Sequence, residues 1–155
     1  MNKMQNVKVN QLRENENALR PLVGVGVIFI RDGSIFLAKR AGSHGDSTWG
    51  SAGGHLEFGE SLEDCARREA KEELGVDVGE MTFLCLSNVV DYGVHYVDIE
   101  FLGDIGDQTP SVIEENTVTE IGWFPLDDLP ETLFTPVRSA VASLRTGSIY
   151  YNAMV

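Results

Sequence analysis

Residues 61–75 constrain the fold more than any other stretch. Ser61 stands where an N-cap belongs, and Asp64, three residues on, completes a near capping box with Asp in place of Glu. Leu62, Ala66, Ala70 and Leu74 recur at every fourth position and make an apolar stripe. Gly75 is a suitable C-terminal stop. The pattern predicts a helix from Ser61 to Leu74 that must bury one face. Around it the chain reads mostly as strands. Pro21 introduces LVGVGVIFI, a buried strand, and Arg31-Asp32-Gly33-Ser34 is a hairpin-turn signal leading into Ile35–Arg40. Residues 81–90 and 94–102 read as strands paired around Asp91-Tyr92-Gly93, Thr119–Phe124 as a last strand, and Thr135–Arg145 as a closing helix. The expected class is α/β or α+β, a mixed sheet with helices packed on it.

The same helix carries an unusual charge pattern. At about 100° per residue, Glu69, Glu72 and Glu73 fall in one sector that overlaps the apolar stripe. A lone glutamate on a helix is ordinarily solvated. Three on one side, late in a helix, fit that reading poorly, because acids suit the first turn and like charges at i,i+4 repel. At about 6 Å and an effective dielectric of about 20, each such pair costs up to ~3 kcal/mol. A dication reverses that sign, and an oxygen-only carboxylate cluster suits Mg²⁺ or Mn²⁺. Just upstream lies Gly53-Gly54-His55-Leu56-Glu57-Phe58-Gly59-Glu60. Its glycines let the backbone approach a ligand closely. Glu60, at the helix start, is placed to cap it or to hold the Arg68 guanidinium.

Composition narrows the partners. The 155 residues hold 12 Lys and Arg against 24 Asp and Glu, a net charge of -12. That argues against a general nucleic-acid or anionic-membrane binder. A small anionic substrate remains compatible if positive charge is supplied locally. Two cysteines, Cys65 and Cys85, make no disulfide framework and suit a reducing compartment. Residues 1–20 lack a signal-type apolar core, so the expectation is a cytoplasmic protein. The expected organisation is an N-terminal arm over 1–20, one domain over 21–147 and a C-terminal tail over 148–155.

Gly54, five residues, Glu60, seven residues, then Arg68-Glu69-Ala70-Lys71-Glu72-Glu73-Leu74-Gly75-Val76 resembles the Nudix box, Gly-x5-Glu-x7-Arg-Glu-aliphatic-x-Glu-Glu-x-Gly-aliphatic. All seven fixed positions match, and a chance match is on the order of 10⁻⁸ per start site. Two departures stand out. Ala70 is small where relatives carry a bulky aliphatic residue, and Ser51-Ala52 replaces an aliphatic residue and Pro. The resemblance implies an α/β/α sandwich, a mixed sheet between helices. It also implies a hydrolase that uses Mg²⁺ or Mn²⁺ to cleave a pyrophosphate linkage in a nucleoside diphosphate derivative. By position, Glu69, Glu72, Glu73 and the Gly54 carbonyl correspond to metal ligands, and Glu60 with Arg68 to the pair that orients them. Glu72 or Glu73 is a candidate general base. Glu120, in the segment before Trp123, is another, with a solvated acid as its bland alternative.

Other residues carry weaker signals. Lys39 and Arg40 end a strand beside the glycine-rich loop and are candidates to hold a substrate phosphate, or else a solvated strand end. His55 is a candidate substrate contact, against a structural role. Trp49 reads as a loop anchor and Cys65 as inert core. Tyr92 is a weak match to a residue of dinucleoside-polyphosphate hydrolases. KRAGSHG, GGHLEFGE and His95-Tyr96-Val97 most resemble the branch that converts (d)NTPs or modified NTPs to the monophosphate and pyrophosphate. An ADP-sugar or dinucleoside-polyphosphate hydrolase stays open. So does a non-catalytic nucleotide-sensing module, which predicts eroded carboxylates, or an acidic interaction domain with an accidental motif. The expected partner is a small-molecule nucleotide, and the family admits a homodimer.

Overall fold

The computed structural model describes residues 20–42 and 44–154. The arm expected over 1–20 lies outside the described residues except for Arg20. In chain order the elements are β1 (Leu22–Ile28), β2 (Ile30–Arg31), β3 (Ser34–Arg40), β4 (Trp49–Gly50), β5 (Ala52–His55) and α1 (Leu62–Leu74). They continue with β6 (Met81–Asp91), β7 (Val94–Gly103), β8 (Val118–Pro125), α2 (Thr135–Thr146) and β9 (Tyr150–Met154).

Five strands form one mixed sheet in the order β5-β1-β7-β6-β9. β1 runs parallel to β7 and β6 to β9, while the β1–β5 and β6–β7 pairs are antiparallel. In a second sheet, β3 holds β8 along one edge, and β2 and β4 along the other. The large sheet is covered on both faces. Val25, Val27, Ile99 and Phe101 pack against Cys65, Ala66, Ala70 and Leu74 of α1. Cys85 and Ile28 pack with Ile35 and Leu37 against Val137, Ala140 and Val141 of α2. This is the α/β/α layering that the motif implies. Ala70 is fully buried in the α1 layer, where its lack of bulk allows close approach to the sheet.

Local chemistry explains the boundaries. The Ser61 side chain accepts the Asp64 amide at 3.0 Å, and Gly75 ends α1 in the left-handed region at φ 69°. Asp32 and Gly33 both have positive φ (51° and 76°), the type I′ geometry that matches strand twist. Tyr92 and Gly93 repeat it at the β6–β7 tip (53° and 74°). Burial pushes the Cys65 and Cys85 thiols up to about 12, which fits inert core positions.

Two expectations change. Val118–Pro125 is not the last strand. The expected tail over 148–155 contains β9, which pairs in register with Leu86–Val90 of β6. The long β6 strand leaves an edge that an extended Tyr-Tyr-Asn-Ala-Met segment can satisfy, and Asn88 Nδ2 donates to Asn152 Oδ1 at 2.9 Å across it.

Candidate active site

α1 aims its acids at the end of the sheet where β5 meets β1. Glu73 is 8% exposed, and its Oε1 accepts the Gly53 amide at 3.0 Å. Glu69 lies against Gly54, where an added Cβ would fall 2.4 Å from the Glu69 carboxyl carbon. Only glycine permits that approach. Both carboxyls thus face the Gly53–Gly54 strand segment. Burial, above all, pushes Glu73 up to about 8, against the Gly53 hydrogen bond and with the Glu69 charge adding to it; burial also raises Glu69, opposed by Arg68 and assisted by the Glu72 charge.

Arg68 organises the rim. Its guanidinium donates to Glu60 at 2.7 Å and to Glu69 at 2.8 Å, and reaches Glu72 at 3.4 Å and Glu57 at 3.6 Å. It also donates to the His55 carbonyl at 3.1 Å. The Arg68 hydrogen bonds hold the Glu60 carboxyl down at about 2, helped by the Glu57 amide. The Glu60–Arg68 pairing read from the motif is therefore present. Glu72 differs from its neighbours: its side chain is half-exposed and lies outside the cavity.

The acids open onto a cavity of about 330 Å³. Arg40 projects into it over the Phe134 ring, 3.9 Å from its centroid, and donates to the His44 carbonyl. Burial lowers the Arg40 pKa from its ordinary value. His44 stacks on Tyr96 at 4.8 Å, and His55 Nε2 meets the Tyr96 hydroxyl at 2.6 Å. Tyr92, on the facing wall, stacks on Phe134. Trp49 packs edge-on against Phe124, as an anchor does.

Of the expected site residues, Arg40, Gly54, His55, Glu69 and Glu73 line this cavity, while Glu60, Arg68 and Glu72 stand outside it and Lys39 and Glu120 lie on another face. Glu120 lies within β8, opposite Lys39 in register, and its carboxylate pairs with Lys39 Nζ at 3.6 Å. Strand alternation sends Lys39 and Glu120 to the outer side while Arg40 faces in. Glu114, from the loop before β8, lines the cavity instead. That loop is tied to the end of α1 by the Ile113 amide donating to the Glu73 carbonyl at 3.0 Å. Asp98 and Glu100 also line the cavity and were not singled out from the sequence. They sit at i and i+2 in the middle of β7, opposite Gly24 and Gly26, and that pairing was the available signal.

Among the described residues, no three His, Cys, Asp or Glu side chains form a ready-made metal cage. Arg68 engages Glu69 and Glu72. The chemistry of the donors nonetheless fits a hard divalent cation: a buried and a partly buried carboxyl, both held above the ordinary carboxylate range, beside a backbone that has no side chain at Gly54.

The shifts fix a pH dependence. Glu69, Glu73, Asp98 and Glu100 all have raised folded-state values, with burial as the first cause. Such acids bind more protons folded than unfolded, so their contribution is lost as pH rises from the ordinary carboxylate range toward Glu73's value of about 8. Glu60 has the opposite sign and loses its contribution as pH falls toward about 2. In chelator-containing buffer, the melting temperature is expected to peak near pH 5, by rough placement between these windows. Calorimetric melts from pH 4 to 9 check this, and a continuous rise from pH 5 to 8 contradicts it.

Comparison with known proteins places this geometry. The chain is 35% identical to a MutT NUDIX hydrolase from Burkholderia pseudomallei of known structure, with a TM-score of 0.77 over 81% of this chain and 98% of that one. It is 30% identical over 131 residues to an ADP-ribose pyrophosphatase from Methanocaldococcus jannaschii, covering 83% of this chain and 76% of that protein. It is 42% identical over 66 residues to an RNA pyrophosphohydrolase from Wolbachia pipientis, covering 43% of this chain and 39% of that protein. The chain spans about two fifths of the length of the first curated relatives that it matches. The family model for the NUDIX domain matches residues 20–144, most of the sheet and both helices, and the chain belongs to the Nudix family.

Proposed function

We propose that the chain is a metal-dependent pyrophosphohydrolase that converts a (d)NTP or modified NTP to the monophosphate and pyrophosphate. The observation that carries this reading is the joining of two features in one cavity. Partly buried Glu69 and buried Glu73 stand at the Gly53–Gly54 rim, and Arg40 and a cluster of aromatic rings line the adjoining space. Acids alone repel a polyphosphate, and an aromatic cavity alone has no hydrolytic chemistry.

Glu69, Glu73 and the Gly54 carbonyl would hold Mg²⁺ or Mn²⁺, with Glu72 reaching in from the rim once released by Arg68. Such ions, when bound, offset phosphate charge and make a water more acidic. The residues do the rest. Arg40 binds the terminal phosphate. Arg68, itself fixed by Glu60, holds Glu69 in place. Glu73 is favoured over Glu72 as the proton acceptor because Glu73 lies in the cavity, and its Gly53 hydrogen bond fixes its orientation. Glu120 has no part in this reading. His44 and Tyr96 offer faces for a base to stack on.

The absence of eroded carboxylates disfavours a non-catalytic sensor. The 30% identity to an ADP-ribose pyrophosphatase supports a second reading, hydrolysis of a nucleoside diphosphate linked to a sugar. A panel of (d)NTPs, ADP-ribose and dinucleoside polyphosphates with Mg²⁺, read by product identity, decides between them. Monophosphate plus pyrophosphate from triphosphates supports the first, and turnover of ADP-ribose alone supports the second. Arg40→Ala is expected to raise KM for triphosphates about tenfold with a smaller change in kcat, as loss of one charged contact does. An unchanged KM would remove Arg40 from phosphate binding.

No helix among the described residues is long and apolar enough to cross a membrane.

A further inference from the structure

The two edges of the five-stranded sheet are finished differently. At the β5 edge, the Gly53 amide is taken by the Glu73 carboxylate. At the other edge, β9 pairs with β6 alone among the described residues. The Leu86 amide donates to the Ile149 carbonyl, and β9 runs parallel to β6. Along a strand in such a ladder, successive residues turn their backbone groups to alternate sides. Ile149, Tyr151 and Ala153 therefore face β6, and Tyr150, Asn152 and Met154 turn their amides and carbonyls outward.

An edge strand ordinarily carries a lysine, a proline, a bulge or an inward charge that stops another strand from adding to it. Ser148-Ile149-Tyr150-Tyr151-Asn152-Ala153-Met154 has no charged residue and no proline, in a chain of net charge -12. Its pairing with β6 runs without a register shift. Tyr150 and Met154 are 63% and 64% exposed. The segment is also self-complementary. Laid antiparallel on itself about Asn152, it sets Tyr150 opposite Met154, Tyr151 opposite Ala153 and Asn152 opposite Asn152. An aromatic ring meets a thioether in the first pair, and a large side chain meets a small one in the second. In this register the outward-turned backbones of Tyr150, Asn152 and Met154 meet one another. Two acidic copies repel over most of their surface, and here they meet where neither carries charge.

We propose that β9 pairs antiparallel with β9 of a second copy of this chain, about a two-fold axis at Asn152, and joins the two sheets into one. A two-fold contact of this kind closes on itself and leaves no open edge at the join. One substitution on the axis changes both sides of the contact at once. Asn152→Asp keeps the oxygen that accepts from Asn88 Nδ2, so the bond between β6 and β9 side chains survives. In the dimer it sets two carboxylates directly opposite each other, with Cα atoms about 5.5 Å apart. It is expected to raise the dimer dissociation constant about a hundredfold at low salt. Asn152→Lys opposes two ammonium groups in the same way.

Sedimentation equilibrium reads the outcome. At about 100 μM the wild type is expected at twice the mass of one chain, and each variant alone at the mass of one. An equal mixture of the two variants is expected to return to twice the mass, because Asp then faces Lys across the axis. Mixing cannot repair a misfolded chain, so recovery separates repulsion at the axis from damage to the strand. A wild type that sediments as one chain overturns the proposal and leaves the β9 edge to another segment of this chain or to a different protein. So does a dimer that survives Asn152→Asp, which would join through another surface, and so does a mixture that stays at the mass of one chain.

Discussion

Glu73→Gln is expected to lower kcat by about 10³-fold or more while leaving the fold intact, because it removes a charge from the reacting end of the cavity. The size follows from where the side chain stands. Glu73 is 8% exposed, on the last turn of α1, with one oxygen held by the Gly53 amide. Glutamine keeps that acceptor and the volume. It cannot take a proton or offer an anionic ligand. Stability should not suffer, since burial already disfavours the ionised acid at this position. The expected variant melts at or above the wild-type temperature at pH 8 and is nearly inactive at every Mg²⁺ concentration. Near-wild-type turnover would place the chemistry elsewhere on the helix.

The second large effect is on stability. Gly53→Ala is expected to destabilise by about 2–3 kcal/mol, because the added methyl has no side chain to push aside. A Cβ there would lie 2.4 Å from the Val25 carbonyl oxygen and 2.8 Å from the Gly26 Cα, both backbone atoms of β1. The β1–β5 pairing must open to admit it. For a domain of this size, that corresponds to roughly 5–10 °C in melting temperature. Gly54→Ala is the informative contrast, since its Cβ would meet the Glu69 carboxylate, a group that can turn away. A Gly53→Ala protein that melts with the wild type would show that β1 and β5 are not held as closely as described.

The helix and turns were legible because their signals are local. Ser61, Asp64 and Gly75 act within one turn of the chain, and Asp32-Gly33 and Tyr92-Gly93 need only positive φ at two neighbours. The spacing of Glu60, Arg68, Glu69 and Glu73 was legible for the same reason, since a helix converts spacing into direction. What was missed depends on tertiary packing. Glu114 and Glu120 are both acids near the start of one strand, and which of them meets the cavity depends on the register of β8 against β3. Asp98 and Glu100 alternate with apolar residues, as in a strand with one wet face. Here the sheet is covered on both sides, so the polar face of β7 became the inner end of a pocket. β9 was read as a tail because its partner edge lies 64 residues away at Asn88–Asn152.

The tip of the β6–β7 hairpin is fastened to the first residue of α2. Thr135 Oγ1 donates to Asp91 Oδ2 at 2.6 Å, and the Thr135 amide donates to the Tyr92 hydroxyl at 3.2 Å. This joint shapes the aromatic wall, whereas the glutamates hang from α1 on the far layer. The two halves of the cavity therefore share little framework. Drift at the hairpin tip can remodel what the enclosure admits without disturbing the acids opposite, so descendants of one ancestral scaffold can diverge in diet while keeping a common chemistry.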